Sequence, residues 1–557
     1  MRGGWRWAGA LVAASLVCTA GCTGNGGKDV SEQGNPGLDD PTPLPPVIPP
    51  PTEEQPKPDA GTPDPGAPDS GTPDAGTPDS GTPDAGTPDG GTPDAGTPPP
   101  PPPVVIPPPT TEGWTFYGVN EGGPEKVYGV TADASGNIWV AGGEEGLFVL
   151  RPGATRLQRF TLADGLRPYG YMPDGSTPPG PKYLKVISVA GGPANTVFVG
   201  YEGMPGEGGE HCESNWDSGN PDPARYKSGD ADKVMLMPDG TIDTVHYDIF
   251  SGPDIVRDEP QGREKLCSIL RIAYDARTRS VWFGGNHGFA WGDANIEARP
   301  TCNGQYGCGV LEHVHPALNA YVYSHEAEDR QLYPSEPSQW RVRGALLTDA
   351  YYGVAVDPSG DVWFGGSDRS TRFRYITSTG SFDTPNYFRA QSMTEDRPYA
   401  WNRFDIWPDA VTEPGMSRPE QRTSDNVSGI AVTGDGSVWV GSFARGLAQL
   451  TPDGAVVRRI SAELADHRGL VSAVAADPLN DSVWAGTSWG GGLSRVSGGT
   501  VAHYGVTVFG MDLAMSRISD IQVDRSGSRR RMLVGFMGYE RSDRRWVAGS
   551  IGIYVGD

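Results

Sequence analysis

Beyond its first 22 residues, the 557-residue chain has no stretch long and apolar enough to cross a bilayer as a helix. It has little cysteine, six residues in all, and no CxxC or Cys/His spacing of the kind that builds a zinc-thiolate site. Nothing matches a Ser/His/Asp arrangement, a phosphate-binding loop or a dinucleotide fingerprint, so no cofactor is expected. Positive charge is also short: 45 basic against 69 acidic side chains leave a formal charge of −24 at pH 7. That balance argues against nucleic acid as a partner and against adsorption to anionic lipid.

Residues 1–22 read MRGGWRWAGALVAASLVCTAGC, with Arg2 and Arg6, an apolar run from Ala8 to Val17, then small residues and a cysteine. This order predicts an export signal whose apolar run is too short to stay as a membrane span. TAGC at 19–22 resembles a bacterial lipobox, with Thr19 in place of the usual leucine. The resemblance implies lipidation of Cys22, and Thr23 after it implies the outer membrane, on the periplasmic side or at the cell surface. Membrane contact is then expected through the N-terminal lipid alone.

Residues 23–113 shift to Pro, Gly, Thr and Asp, with a five-residue repeat over 71–98. They have too few aromatic and β-branched residues to offset chain entropy by burial, so a disordered linker is expected. Proline and mutually repelling aspartates favour a semi-stiff spacer with a reach on the order of 200 Å. With 15 acidic and 2 basic side chains, the linker holds about half of the net charge. Four cysteines lie beyond it: Cys212, Cys267, Cys302 and Cys308. In an exported chain an even set points to disulfides, with three possible connectivities. CNGQYGC makes Cys302 and Cys308 the local pair, leaving Cys212 with Cys267.

From residue 114 onward one unit recurs seven times, from VYGVTADASGNIWVAGG at Val127 to ISDIQVDRSGSRRRMLVGF at Ile518. It consists of apolar-x-x-apolar, a turn around Asp/Gly, an apolar residue, an aromatic, a small apolar residue and Gly. Trp139, Phe198, Trp282, Trp363, Trp439, Trp484 and Leu533 share one column. Each unit predicts a hairpin, with the glycine marking where its second strand ends. Third strands open on Gly-apolar, as in GLFVL from Gly146, and fourth strands follow, as in AVVRRIS from Ala455. Four strands in roughly 40–45 residues make a β-propeller blade. WTFYGV at 114–119 looks like a fourth strand without its first three, and the last unit stops after its third. The fold expected for 114–557 is therefore all-β, a seven-bladed β-propeller closed by pairing the N-terminal strand with the last blade.

The unit resembles the propeller repeats of the periplasmic sensor part of two-component regulators and is more weakly similar to WD40 and streptogramin-lyase propellers. The regulators continue into a membrane helix and a kinase. Neither follows the repeats here, so phosphotransfer by this chain is not expected.

The aromatic column is read as core rather than as a sugar cage. Asp/Gly elements such as DPSGD at 357–361 lack the ligand spacing of an EF-hand and are read as turns. They also resemble the sialidase Asp-box, but DASGNIW has one residue too many between Asp133 and Gly136, and no arginine triad accompanies it. Long insertions, at 201–230, about 317–349, about 384–425 and 536–549, fall mostly where strand 2 meets strand 3 or one blade meets the next. Those junctions share one face of a propeller, and the insertions are rich in Tyr, Trp and Arg. Trp401, Arg403, Trp407, Tyr539, Arg544 and Trp546 are the binding candidates. His287, His313 and His315 form a possible metal or acid/base group within one blade. The function expected is recognition, by a monomer, of an envelope or secreted protein or a glycan. The alternative is a propeller lyase or hydrolase acting on a polysaccharide or small molecule through those histidines.

Overall fold

The computed structural model describes residues 102–168, 183–203, 205–206, 209–210, 230–247, 268–285, 289–295, 310–314, 350–366, 370–375, 399–404, 406–407, 425–464 and 470–556, apart from 478, 479, 489 and 528. All of them belong to one compact unit, Ala95–Asp557. The signal, Cys22 and the repeat linker lie outside the described residues, as do Cys212, Cys267, Cys302 and Cys308.

Among the described residues the fold is all-β, with seven four-stranded antiparallel sheets and one α-helix, α1, at Val506–Met515. We number the sheets I to VII and their strands a to d. Sheet I comprises Gly129–Ala132, Ile138–Ala141, Leu147–Leu150 and Gln158–Phe160. Sheet II comprises Val186–Gly191, Thr196–Tyr201, Ala231–Leu236 and Ile242–Tyr247. Sheet III comprises Ile269–Asp275, Ser280–Gly285, Phe289–Asp293 and Val310–Val314. Sheet IV comprises Gly353–Val356, Val362–Gly365, Ser370–Tyr375 and Tyr399–Phe404. Sheet V comprises Val427–Val432, Val438–Ser442, Gly446–Leu450 and Val456–Ile460. Sheet VI comprises Val471–Ala476, Val483–Thr487, Leu493–Ser497 and Thr500–Tyr504. Sheet VII takes Ile518–Asp524, Arg531–Glu540 and Trp546–Val555 from one end of the chain and Trp114–Tyr117 from the other.

The a strands of successive sheets pack side by side, and strand a of VII packs on strand a of I. All seven wall one cavity of about 500 Å³, with Thr131, Ala190, Tyr274, Val356, Ala431, Ala475 and Gln522 among its lining residues. This arrangement is a β-propeller.

Burial explains the sequence pattern. Strand b lies between neighbouring sheets, so it is buried on both faces and reads as a continuous apolar run, as in Val438–Ser442 and Val483–Thr487. Strand d is exposed on alternate residues, as in Val456–Ile460. The aromatic column is core: Trp139, Phe198, Trp363, Trp484 and Leu533 are 0 % exposed, and Trp439 is 3 %.

The glycine two residues after the column residue, replaced by Ala141 in sheet I, ends strand b in sheet IV, at Gly365, as the sequence suggested, but lies within the strand in sheets II, III, V, VI and VII. A Cβ at Gly365 would sit 2.6 Å from Val427 Cγ1 of the next sheet, and one at Gly441 would sit 2.5 Å from Val474 Cγ2. The column is glycine because neighbouring sheets meet there.

The a–b turns use their aspartates internally. Asp133 Oδ1 accepts the Ser135 and Asn137 backbone N–H groups, while Oδ2 accepts the Trp139 indole N–H at 2.9 Å. Asp357 repeats this with Ser359, Asp361 and the Trp363 indole at 3.0 Å. One carboxylate thus closes the turn and fixes the core indole.

Two expectations about boundaries change. Strand d of sheet IV, Tyr399–Phe404, lies inside the stretch read as the 384–425 insertion. Residues 384–398 therefore join strands c and d, at the opposite end of the sheet from the b–c junctions. Within the expected linker, Val104 pairs with the far edge of sheet VII, donating to Trp546 O at 2.7 Å and accepting from Ala548 N at 3.0 Å. The packed chain therefore begins before residue 114.

Candidate functional site at the insertion-bearing end

The b–c turns and the d-to-a connections share one end of the sheets by antiparallel connectivity. The insertion resolved there most completely is the b–c hairpin of sheet VII. Its strands run ten residues each, against four to six for the b strands of sheets I to VI, and pairing continues to Glu540 opposite Trp546. The tip closes with Arg541 N–H donating to Arg545 O at 2.9 Å, and Arg544 takes φ +62°.

The hairpin is braced on both flanks. Tyr539 donates its hydroxyl to Asp512 Oδ1 of α1 at 2.7 Å. Burial, with the adjoining Asp512 carboxylate, pushes the Tyr539 phenol up to about 12. The Trp546 indole N–H donates to Glu125 O at 3.0 Å, and Lys126 Nζ lies 4.8 Å from its ring centroid. Thr111 donates to Val508 O at 3.0 Å, tying the entering chain to α1. Arg544, with a side chain 90 % exposed and its Nη1 3.6 Å from Glu540 Oε1, projects from the tip.

The other binding candidates separate. Trp407 is 5 % exposed and packs in the core cluster with Trp363 and Val427, its backbone N–H donating to Asp425 Oδ1 at 3.1 Å. It is therefore core, drawn inward because an indole gains more from that apolar pocket than from the surface. Trp401 and Arg403 lie on strand d of sheet IV, opposite Phe373 and Thr371, with side chains outside the described residues. The six candidates thus divide between sheets IV and VII, which sheets V and VI separate. His313 lies on strand d of sheet III, opposite Ala290, with its side chain outside the described residues; His287 and His315 lie outside them altogether. Among the described residues no group of three His, Cys, Asp or Glu is placed to hold a metal ion.

Other functional-looking groups were not singled out from the sequence. Arg271 Nη1 on strand a of III reaches Asp520 Oδ1 on strand a of VII at 2.7 Å. Asp520 Oδ2 also accepts the Val130 backbone N–H of sheet I at 3.1 Å. Sheets IV, V and VI lie between III and VII in chain order, and II and I lie between them along the packed a strands, so the pair bolts non-adjacent sheets across the central cavity. The third position of the seven repeats reads Gly129, Ser188, Arg271, Gly353, Gly429, Ala473 and Asp520. Five small residues and one opposite-charge pair were the signal available.

A second group is buried in sheet II. His246 Nδ1 lies 2.8 Å from Asp232 Oδ1, and Nε2 lies 3.2 Å from Asp230 Oδ2, all three residues being at most 4 % exposed. Burial opposes the imidazolium, but hydrogen bonds and charge from both aspartates prevail and raise it to about 9. Asp232 also accepts the Tyr201 hydroxyl and the Arg167 backbone N–H. This network joins the strands that flank the 202–230 connection.

A third group surrounds the starts of the a strands. Lys185, before strand a of II, pairs with Glu202 and lies 3.8 Å from Glu144. Arg517, before strand a of VII, instead lies over the Phe443 ring with its Cζ 5.0 Å from the centroid. Tyr352 meets Phe443 at 5.3 Å and 89°.

No family model matches the chain, and no curated protein matches it. Solved structures overlap weakly. PorZ, described as an essential bacterial surface component of the type-IX secretion system of Porphyromonas gingivalis, is 14 % identical with TM-score 0.38, covering 75 % of this chain and 45 % of its own. The extracellular domain of a putative hybrid two component system from B. thetaiotaomicron is 12 % identical with TM-score 0.38, covering 79 % and 41 %. The Cps50 (Swd1) beta-propeller domain of Myceliophteria thermophila is 9 % identical with TM-score 0.38, covering 66 % and 82 %. No partner or activity follows from likeness at this level.

Proposed function

We propose that the seven sheets are the blades of a ring closed by Trp114–Tyr117, and that this propeller is a lipid-anchored envelope protein whose insertion-bearing end recognises a protein partner. Cys22 is the anchor, the outer membrane the location, and the Pro/Gly/Asp-rich segment the spacer. The observation that carries the recognition reading is the hairpin of sheet VII. It extends to ten residues per strand, is braced by Tyr539 and Trp546, and ends in the exposed Arg544. A rigid support under a projecting cation is what a recognition surface needs and what a loop of no function does not.

The test is site-specific photo-crosslinking in cells, with a photoreactive residue at position 544 or at position 453, an exposed c–d turn position at the opposite end of sheet V. Adducts to one protein from 544 and none from 453 are expected. Adducts from 453 alone would place recognition at the other end. The lyase or hydrolase alternative predicts instead that purified full-length protein cleaves envelope polysaccharide and that His287→Ala and His315→Ala abolish the cleavage.

A further inference from the structure

We propose that Arg517 is an open carboxylate-binding site at the insertion-bearing end, filled by an Asp or Glu side chain of the partner protein; this deepens the recognition reading above and rests on it. Several arginines of the fold lie on a carboxylate, Arg271 on Asp520 and Arg531 on Asp524 among them. Arg517 has none. Its neighbours are the face of Phe443, 5.0 Å from its Cζ, and Tyr352, set perpendicular to that ring. Its buried Nε–H has no hydrogen-bond acceptor. Burial lowers its pKa from the ordinary arginine value, and among the described residues the Tyr352 phenol is the ionisable group that acts on it.

The contrast with Lys185 is informative. That cation occupies the corresponding position before strand a of sheet II and is held by Glu202 and Glu144. The corresponding place at sheet VII has a cation, an aromatic support and, among the described residues, no anion. The Ser488 hydroxyl, in the b–c turn of sheet VI, is also buried without a partner. That turn packs on the end of α1 through Gly491 N–H donating to Ala514 O at 2.9 Å, three residues before Arg517. A donor and a planar guanidinium are thus left unsatisfied at one end of adjoining sheets.

The guanidinium fork matches a carboxylate in two parallel hydrogen bonds, and partial desolvation strengthens such a pair. The ring under it is already used: the cation lies on its face and Tyr352 stands across it. Among the described residues, Phe443 and Tyr352 therefore offer no open aromatic platform of the sort on which a sugar ring stacks, so a protein carboxylate fits better than an acidic glycan. The hydrogen bonds needed are those Arg517 lacks. Phe443 holds the fork in place, so little side-chain freedom is lost on binding.

Binding is read by fluorescence polarisation of labelled hexaglutamate and hexaglutamine peptides with the full chain, and with hexagalacturonate as a competitor. The expected result is a salt-sensitive affinity for hexaglutamate, with hexaglutamine at least tenfold weaker. Arg517→Gln lowers hexaglutamate affinity at least tenfold, about 1.4 kcal/mol, and Arg517→Lys lowers it by a smaller factor. Arg529→Gln, in the exposed a–b turn at the opposite end of sheet VII, leaves it unchanged. Because Arg517→Gln could disturb folding, the wild-type chain is also labelled with ¹⁵N-arginine. The Arg517 Nε–H resonance must then shift on adding hexaglutamate. Equal binding of the two peptides, an unmoved Arg517 resonance, or an unaffected Arg517→Gln variant overturns the proposal. Arg517-dependent binding of hexagalacturonate without hexaglutamate overturns its protein source. If hexaglutamate binds as expected but position 544 gives no adduct in cells, the carboxylate site stands and the broader recognition reading fails.

Discussion

Among the described residues, replacing Arg271 by alanine removes the only cation on a carboxylate that is nearly sealed from solvent. The Asp520 side chain is 2 % exposed and the Arg271 side chain 19 %. Breaking a buried pair from one side costs about 3–5 kcal/mol when the remaining charge has nothing else. Asp520 keeps the Val130 N–H at 3.1 Å and the Ile521 N–H at 2.9 Å, which places the loss for Arg271→Ala near the low end, about 2–3 kcal/mol. Asp520→Ala leaves a partly exposed guanidinium and an unpaired Val130 N–H, a cost of about 1–3 kcal/mol. The double variant removes both charges at once and costs less than the sum, because neither is left alone in the cavity. Equilibrium denaturation of the four proteins, followed by tryptophan fluorescence, completes the double-mutant cycle. An Arg271→Ala loss below about 0.5 kcal/mol, or strict additivity in the cycle, would refute the bolt across the cavity.

The His246 network predicts a pH dependence of stability. Its imidazolium is favoured in the folded state, about 9 against an ordinary 6.5, so its contribution is complete below pH 6.5 and disappears as pH rises through 9. Denaturation midpoints should fall across that window in the wild type and lose this fall in His246→Gln; a parallel fall in both contradicts the assignment. At the sheet-to-sheet contact, Gly365→Ala forces a Cβ to 2.6 Å from Val427 and should cost about 1–3 kcal/mol. Gly499→Ala, with nothing within 4 Å, should be neutral in the same denaturation assay, and equal effects would falsify the packing explanation.

The repeat was legible because a strand buried on both faces leaves a run of apolar residues, and seven copies made the aromatic column unambiguous. The role of its glycine was not, since the atoms it avoids, such as Val427 beyond Gly365, belong to the next copy. Trp407 was misplaced because an aromatic in an irregular segment carries no period to say whether it turns inward. Arg271 and Asp520 are 249 residues apart, and only the arrangement of sheets brings them together. Arg517 is conspicuous for the partner it lacks, which no sequence pattern displays. The tip of sheet VII was found through excess length between two recognisable strands.

The proposed closure of the ring is what would make its insertion-bearing end one rigid surface, and amide hydrogen exchange tests it directly. If Trp114–Tyr117 closes the ring against Ile551–Tyr554, the paired amides of both segments exchange as slowly as those of the a strands, by opening of the whole sheet. Exchange of Trp114–Tyr117 at the rate of a free chain end, with the a strands still protected, would contradict it.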